Sequence, residues 1–171
     1  MTDGKPRFSP PVLLTAAHDG SLFDSGEPAL DDWLRQRAWS NQQIAASRTY
    51  VVCPHGSMQI VGYFALSMGQ ILGAEVVGSM RRNMPPQIPS LVLGRLAIDL
   101  AWQGNGLGRA MLYDVVRRAL RAEAAVRLII VHAISPAAEA FYLLHGFTRL
   151  PVETPTYALD LVKLQKSSGL E

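Results

Sequence analysis

The stretch Gln103-Gly104-Asn105-Gly106-Leu107-Gly108 constrains this chain most, because it links a strand-like apolar run at residues 91–98 to a long helical pattern. A turn in that place can bind phosphate. Glycine lets backbone N–H groups approach an anion without interference from Cβ, and the following helix adds its unpaired amides and the positive end of its dipole. Two common phosphate turns are excluded. A dinucleotide-binding fingerprint opens the first βα unit and has an acidic residue about 20 positions on, whereas this turn lies past the midpoint with Val126 and Arg127 at that distance. A P-loop requires Gly-Lys-Ser/Thr, and here Gly108 is followed by Arg109-Ala110. What remains is Gln-x-x-Gly-x-Gly followed by Arg.

The elements around this turn follow from periodicity. Residues 1–10 read as a flexible lead and 11–15 as a short strand. From Pro28 to about Ala46, Leu30, Trp33, Leu34 and Ala38 recur at three- and four-residue spacing, which predicts a helix with one apolar face. Residues 47–53 and 59–72 are rich in Val, Tyr, Phe and Ile and flank the Pro54-His55-Gly56-Ser57 turn, predicting a hairpin. A short helix is expected within 73–82, a central strand at 90–100, and a helix after Gly106 with Met111, Leu112, Val115, Val116 and Leu120 inward. Leu128-Ile129-Ile130-Val131-His132-Ala133 has the continuous apolar character of a strand covered on both faces. Ser135-Pro136 then offers a cap and an N1 proline for a helix that stops near Gly146. Residues 147–150 and 157–164 predict a last pair of strands before a frayed end from 166. The expectation is an α/β (α+β) fold in a single domain over 1–171, with a mixed sheet of about six or seven strands covered by about four helices.

Composition matters chiefly for what it excludes. The chain has 171 residues, 49% of them hydrophobic, enough to bury a core without a cofactor. No apolar run approaches the roughly 18 residues of a membrane span, and Met1-Thr2-Asp3-Gly4-Lys5-Pro6 has no apolar signal core, so a cytoplasmic protein with no membrane partner is expected. The four histidines are scattered and Cys53 is the one cysteine, so neither a metal site nor an intrachain disulfide is indicated. Between Arg81 and Arg127, arginines outnumber the acids Asp99, Asp114 and Glu123. Arginine's planar fork suits phosphate, so this bias points to a polyanionic partner or, for Arg117, Arg118 and Arg121, equally to a solvated helix face.

The glycine turn, Arg109 and the later Ala140-Phe141-Tyr142 together resemble the acetyl-coenzyme A motif and the late tyrosine of the GNAT superfamily of N-acetyltransferases. The order of elements is similar to the GNAT fold over nearly the whole chain. That resemblance implies acetyl-coenzyme A as the acetyl donor and two parallel strands that splay, here 91–100 and 128–134. Pantetheine would lie along the backbone of Leu96, Ala97 and Ile98 as an added strand would. Gln103, Gly104, Gly106, Leu107, Gly108 and Arg109 would hold the pyrophosphate, with Gln103 fixing the turn. Acetyl transfer from a thioester to an amine needs a neutral amine, a donor for the developing oxyanion and a proton for the departing thiolate. Tyr142 stands where the family places the tyrosine that donates to the coenzyme A sulfur; by its neighbours alone it reads equally as a packed aromatic. Ser135 reads as a helix cap or a cofactor contact, and Asp99 as a base or a turn contact. An α-amino group titrates near pH 7.7–8.0 in model compounds and needs no strong base.

Three further segments narrow the resemblance: residues 23–34 (Phe23-Asp24-Ser25-Gly26-Glu27-Pro28 onward), residues 45–52, and Leu93-Gly94-Arg95-Leu96-Ala97-Ile98-Asp99. They are similar to the acetyltransferase toxins of type II toxin–antitoxin modules, which acetylate the α-amino group of aminoacyl-tRNA, stop translation and are neutralised by a ribbon-helix-helix antitoxin. Ser25 stands where a cysteine is frequent, and Leu100-Ala101-Trp102 is less polar than usual. The resemblance implies a homodimer and a basic rim for tRNA, with Arg35, Arg37, Arg48, Arg81 and Arg82 as candidates, although each taken singly reads first as a surface charge or ion pair. A small-amine or protein amino-terminal acetyltransferase, and a non-catalytic acyl-coenzyme A-binding module, remain the alternatives.

Overall fold

A computed structural model describes residues 7–169. Its contacts divide the chain into two compact units: the residues up to Leu66 with Arg95–Asp114, and Ser67–Gly94 with the chain from Val115 on. The described residues hold seven strands in one sheet, in the order β1-β2-β3-β4-β5-β7-β6, and six α-helices.

The first unit contains β1 (Val12–Leu13), α1 (Pro28–Gln36), α2 (Ala38–Gln43), β2 (Arg48–Val52) and the start of β3 (Gly62–Leu72). β1 and β2 are antiparallel, as are β2 and β3, whose register runs from Arg48 opposite Leu66 to Val52 opposite Gly62. The predicted hairpin is therefore present. Gly56, at φ 78°, makes its turn, and Ser57 N–H donates to the Pro54 carbonyl at 2.9 Å. Leu30, Leu34 and Ala38 bury against Tyr63, Val51, Cys53 and Ala97, the face the spacing predicts. Gly62, one residue before Tyr63, faces the other way: a Cβ there would lie 2.9 Å from Met111 Sδ and 3.4 Å from Leu107 Cδ2. Side chains alternate across a strand. Helix α1 and the start of α4 (Leu107–Leu120) thus cover opposite faces of β3, and only glycine admits α4 so close.

Several boundaries differ from the sequence expectation. The helix from Pro28 does not run to Ala46: it breaks at Arg37, at φ −123°, whose N–H still donates to the Trp33 carbonyl at 2.8 Å. The second piece ends at Gln43, before Ala45 adopts φ 59°. Residues 7–10 are tied down, with Phe8 bridged to Pro54 and Ser9 N–H donating to the Cys53 carbonyl at 2.9 Å. Residues 1–6 of the expected lead lie outside the described part.

In the second unit, β4 (Gln87–Ile98) begins parallel to β5 (Leu128–His132), with Ser90 opposite Leu128 and Leu93 opposite Val131. Antiparallel β7 (Thr156–Asp160) and β6 (Thr148–Arg149) complete this side. Val76, Met80, Ile88, Leu128, Ile130, Leu150 and Ala158 form its core. The expected short helix in 73–82 is a 3₁₀ turn, Gly73–Glu75, followed by α3 (Gly78–Arg81). Helix α5 (Pro136–Leu144) starts with Pro136 at N1, as its cap signal predicts. The last expected strand is corrected. It stops at Asp160, and α6 (Leu161–Ser168) takes over the residues read as strand and frayed end. Asp160 Oδ1 accepts from the N–H groups of Val162 and Lys163 at 3.1 and 3.3 Å, a helix cap that the largely apolar run of 157–164 conceals. No helix among the described residues is long and apolar enough to cross a membrane.

Candidate active site

Two candidate elements emerge, one in each unit. In the first unit β4 runs on past the Leu93/Val131 pair to Ile98 and enters a 3₁₀ turn, Leu100–Trp102, before the glycine segment. Gly104 and Gly106 have φ of 79° and 77°, the left-handed region where a side chain is strained, and nothing lies within 4 Å of a Cβ built on either. Glycine is thus required by backbone conformation, and the space beside it is open. Gly108 does not share this conformation, because it already lies in α4. The N–H groups of Leu107, Gly108 and Arg109 begin that helix and have no carbonyl one turn back to bind. Arg109 is exposed and has no partner among the described residues. A cradle of open glycine backbone, free helix amides and an unpaired arginine fits a pyrophosphate.

This turn is braced from behind. Gln103 Nε2 donates to the carbonyls of Ile98 and Ser25 at 2.8 and 3.1 Å, the turn-fixing role expected of it. Asp99 is a structural residue: its carboxylate accepts from Ala101 N–H at 2.9 Å and Asp24 N–H at 3.1 Å, capping the 3₁₀ turn and securing the 23–27 loop. Leu100 N–H donates back to the Asp24 carbonyl at 2.8 Å. Ser25, buried, donates through its hydroxyl to Asp31 at 2.6 Å and through its N–H at 3.0 Å. The sequence reading missed Asp24 and Asp31 in this brace; the only available signal was their place beside a proline-started helix.

The second element is Tyr142 on α5. Its ring is buried, with Phe141 and Phe147 edge-on at centroid distances of 5.3 Å each. Its hydroxyl has no hydrogen-bond partner among the described residues. Burial in this aromatic setting pushes the phenol up to about 12, because the charged form is poorly solvated there. Tyr142 is therefore neutral at physiological pH and holds an uncommitted proton. Ser135 accepts from Ala138 N–H at 3.1 Å, so its hydroxyl oxygen serves the cap of α5. Leu96 and Ile98 are half-buried and Ala97 is buried.

The proposed rim arginines differ among themselves. Arg35 is engaged locally, donating to the Phe23 carbonyl at 2.7 Å and pairing with Asp32 at 3.3 Å, which removes it from the free cations. Arg37, Arg48, Arg81 and Arg82 are exposed without a partner among the described residues. Cys53 is buried, and desolvation pushes its thiol up, as suits an inert strand residue.

With this geometry in view, comparison with known proteins defines the class. The model of the acetyltransferase (GNAT) domain matches residues 24–167, and the chain belongs to that family. A tRNA-acetylating toxin of Mycobacterium tuberculosis is 40% identical over 158 residues, which cover 91% of this chain and 93% of the relative. Among solved structures, AtaT complexed with acetyl-methionyl-tRNAfMet superposes with a TM-score of 0.84 at 26% identity, covering 94% of this chain and 99% of the other. AtaTR bound with AcCoA gives a TM-score of 0.77 at 25% identity, covering 95% and 98%.

Proposed function

We propose that this protein is an acetyl-coenzyme A-dependent N-acetyltransferase that acetylates the α-amino group of aminoacyl-tRNA, and that it acts as the toxin of a toxin–antitoxin pair. The observation that carries the reading is the left-handed glycine turn, braced by Gln103, at the head of a 14-residue helix. Similarity to a tRNA-acetylating toxin along nine-tenths of both chains, and to AtaT with its acetylated tRNA, supports the acceptor. Family resemblance supports a ribbon-helix-helix antitoxin as partner and a homodimer.

When bound, acetyl-coenzyme A supplies the activated acetyl group. The amides of residues 104–109 and the Arg109 guanidinium hold its phosphates, and the backbone of Leu96, Ala97 and Ile98 pairs with its pantetheine amides. Tyr142 donates a hydrogen bond to the departing sulfur. A thiol ionises near 8.5 in model compounds, so a phenol at about 12 stabilises the departing thiolate as a hydrogen-bond donor rather than surrendering its own proton, and the proton that the acceptor nitrogen loses on acylation balances the one that the thiolate takes up. With Asp99 committed to backbone amides, no carboxylate base is assigned, and the acceptor's own α-amine enters neutral.

The test is acetyl transfer from labelled acetyl-coenzyme A to aminoacyl-tRNA, deacylated tRNA and the free amino acid. Label is expected on aminoacyl-tRNA only. Equal transfer to the free amino acid would make this a small-amine enzyme, and no transfer to any acceptor would leave a coenzyme-binding module.

A further inference from the structure

Arg95 lies on β4, immediately before the Leu96, Ala97 and Ile98 backbone, and its guanidinium carbon sits 4.3 Å from the centre of the Trp33 ring. Trp33 in turn stacks on Tyr63 with centroids 6.0 Å apart and planes 11° from parallel. Tyr63 is fully buried and anchored by its hydroxyl, which donates to the Leu30 carbonyl at 2.6 Å. The three side chains form a column rooted in the core of the first unit, with a cation at its outer end. A long arginine restrained in this way has surrendered rotamer freedom before any ligand arrives, which lowers the cost of binding one.

The cation at the end of the column lacks a counter-ion. Arg95 is half-buried, and among the described residues it has neither a hydrogen-bonding nor an ion-pairing partner. Half-buried arginines ordinarily find a carboxylate or carbonyl, because withdrawing the charge from water is costly otherwise. Its orientation decides which anion could serve. Ala97, two residues on and so on the same face of β4, belongs to the core under α1, as do Trp33 and Tyr63. The glycine turn instead opens α4, which meets the opposite face at Gly62. Arg95 is therefore aimed away from the side that receives the coenzyme's pyrophosphate. The anion it fits therefore comes from the α1 side, and with the coenzyme's pyrophosphate assigned to the other side the acceptor is the reactant left to bring it.

We propose that Arg95 is a specificity-determining residue for the acceptor, presenting its planar fork, oriented by Trp33, to a phosphodiester at the aminoacylated end of the tRNA. This rests on the reading that the acceptor is aminoacyl-tRNA. Trp33 is a positioning residue that acts through Arg95. None of the rim arginines offered as candidates on the family resemblance has such a support; Arg37, Arg48, Arg81 and Arg82 lie on the exposed surface.

The experiment measures KM and kcat for wild type, Arg95→Ala, Arg95→Lys, Trp33→Phe and Trp33→Leu on two acceptors. One is aminoacyl-tRNA and the other is the same aminoacyl group on a phosphate-free nucleoside. Arg95→Ala should raise KM for aminoacyl-tRNA by roughly tenfold or more, the scale of one charge-assisted hydrogen bond. The nucleoside should lose about tenfold less than the tRNA, and the logarithmic salt slope for tRNA should fall by about 0.7–0.9, one phosphate's worth. Arg95→Lys should keep the salt slope while recovering only part of KM. Trp33→Phe should stay close to wild type, and Trp33→Leu should raise KM for tRNA with kcat largely retained. An active wild type whose Arg95→Ala variant keeps its KM and salt slope overturns this proposal alone, as does an equal loss on both acceptors. A wild type inert on aminoacyl-tRNA but active on the nucleoside overturns the acceptor reading with it.

Discussion

In the proposed site the phosphate-holding part, residues 103–109, works chiefly through backbone: 103–106 are exposed, two glycines sit at φ near 78°, and amides stand beside the single Arg109 guanidinium. The role proposed for Tyr142 rests instead on one side chain, inside an aromatic nest that leaves the ring buried and the phenol hard to ionise. An anion that stays charged throughout the reaction is best held by fixed dipoles at a solvated edge, where they cost no desolvation of charged protein groups. A group that donates a hydrogen bond while keeping its proton gains from burial, which holds it neutral and shields it from water. Affinity and rate should therefore separate when the two regions are changed.

The largest effect is expected at the side chain. Tyr142→Phe removes one hydroxyl that has no partner to strand, so the fold and coenzyme affinity should survive within a few-fold. The acetylation rate should drop by roughly 10² or more, the scale of losing one hydrogen-bond donor to a developing anion. Single-turnover rates beside calorimetric coenzyme titrations would show this. Unaltered turnover in the variant would remove Tyr142 from the chemistry and leave only a packed aromatic.

Gly106→Val should do the reverse. A β-branched residue is poorly tolerated at φ 77°, where even an ordinary side chain costs about 1–2 kcal/mol, and its Cβ branches occupy the open space beside the turn. Coenzyme affinity should fall by about tenfold or more, the equivalent of that strain, with the rate at saturation little changed. Gly108→Ala is the control. That residue lies in the helix, so only crowding of the anion is added and the loss should be smaller. Equal losses at 106 and 108 would break the argument from backbone conformation.

The same contrast explains how much could be read from the chain. Gly104 and Gly106 were legible because a left-handed turn before a helix leaves a compositional mark, and so was the Ser135-Pro136 start of α5. The hairpin and the apolar face of α1 were legible from period alone. Choices between local competitors were not. Residues 157–164 are apolar enough to be read as one continuous strand, and what ends it is Asp160, capping α6 while its carboxylate accepts from Arg127 at 2.9 and 3.0 Å. Arg127 is far off in sequence and gave no local sign. Pairings across long separations were likewise invisible: Arg95 with Trp33, Asp99 with Asp24, Gln103 with Ser25. The motif thus located the left-handed glycine turn, and long-range contacts supplied what braces it.

A last prediction tests the burial of Tyr142 without any substrate. Its folded pKa is about 12 against an unfolded value near 10, so the folded state resists ionisation that the unfolded state undergoes freely. A raised folded pKa gives a contribution fully present below the unfolded pKa and lost as pH rises through the folded one. The stability difference between wild type and Tyr142→Phe should therefore be constant from about pH 7 to about pH 9. It should then turn against wild type by up to roughly 2–3 kcal/mol between about pH 10 and pH 12, two pKa units' worth. Tyr63 and Cys53 are also pushed up by burial, but they are present in both proteins and cancel in the difference. Urea unfolding at matched pH values measures it. A difference that stays flat to pH 12 would mean that the Tyr142 phenol ionises as easily folded as unfolded, and the contrast between a solvated turn and a sheltered proton donor would fail on its second side.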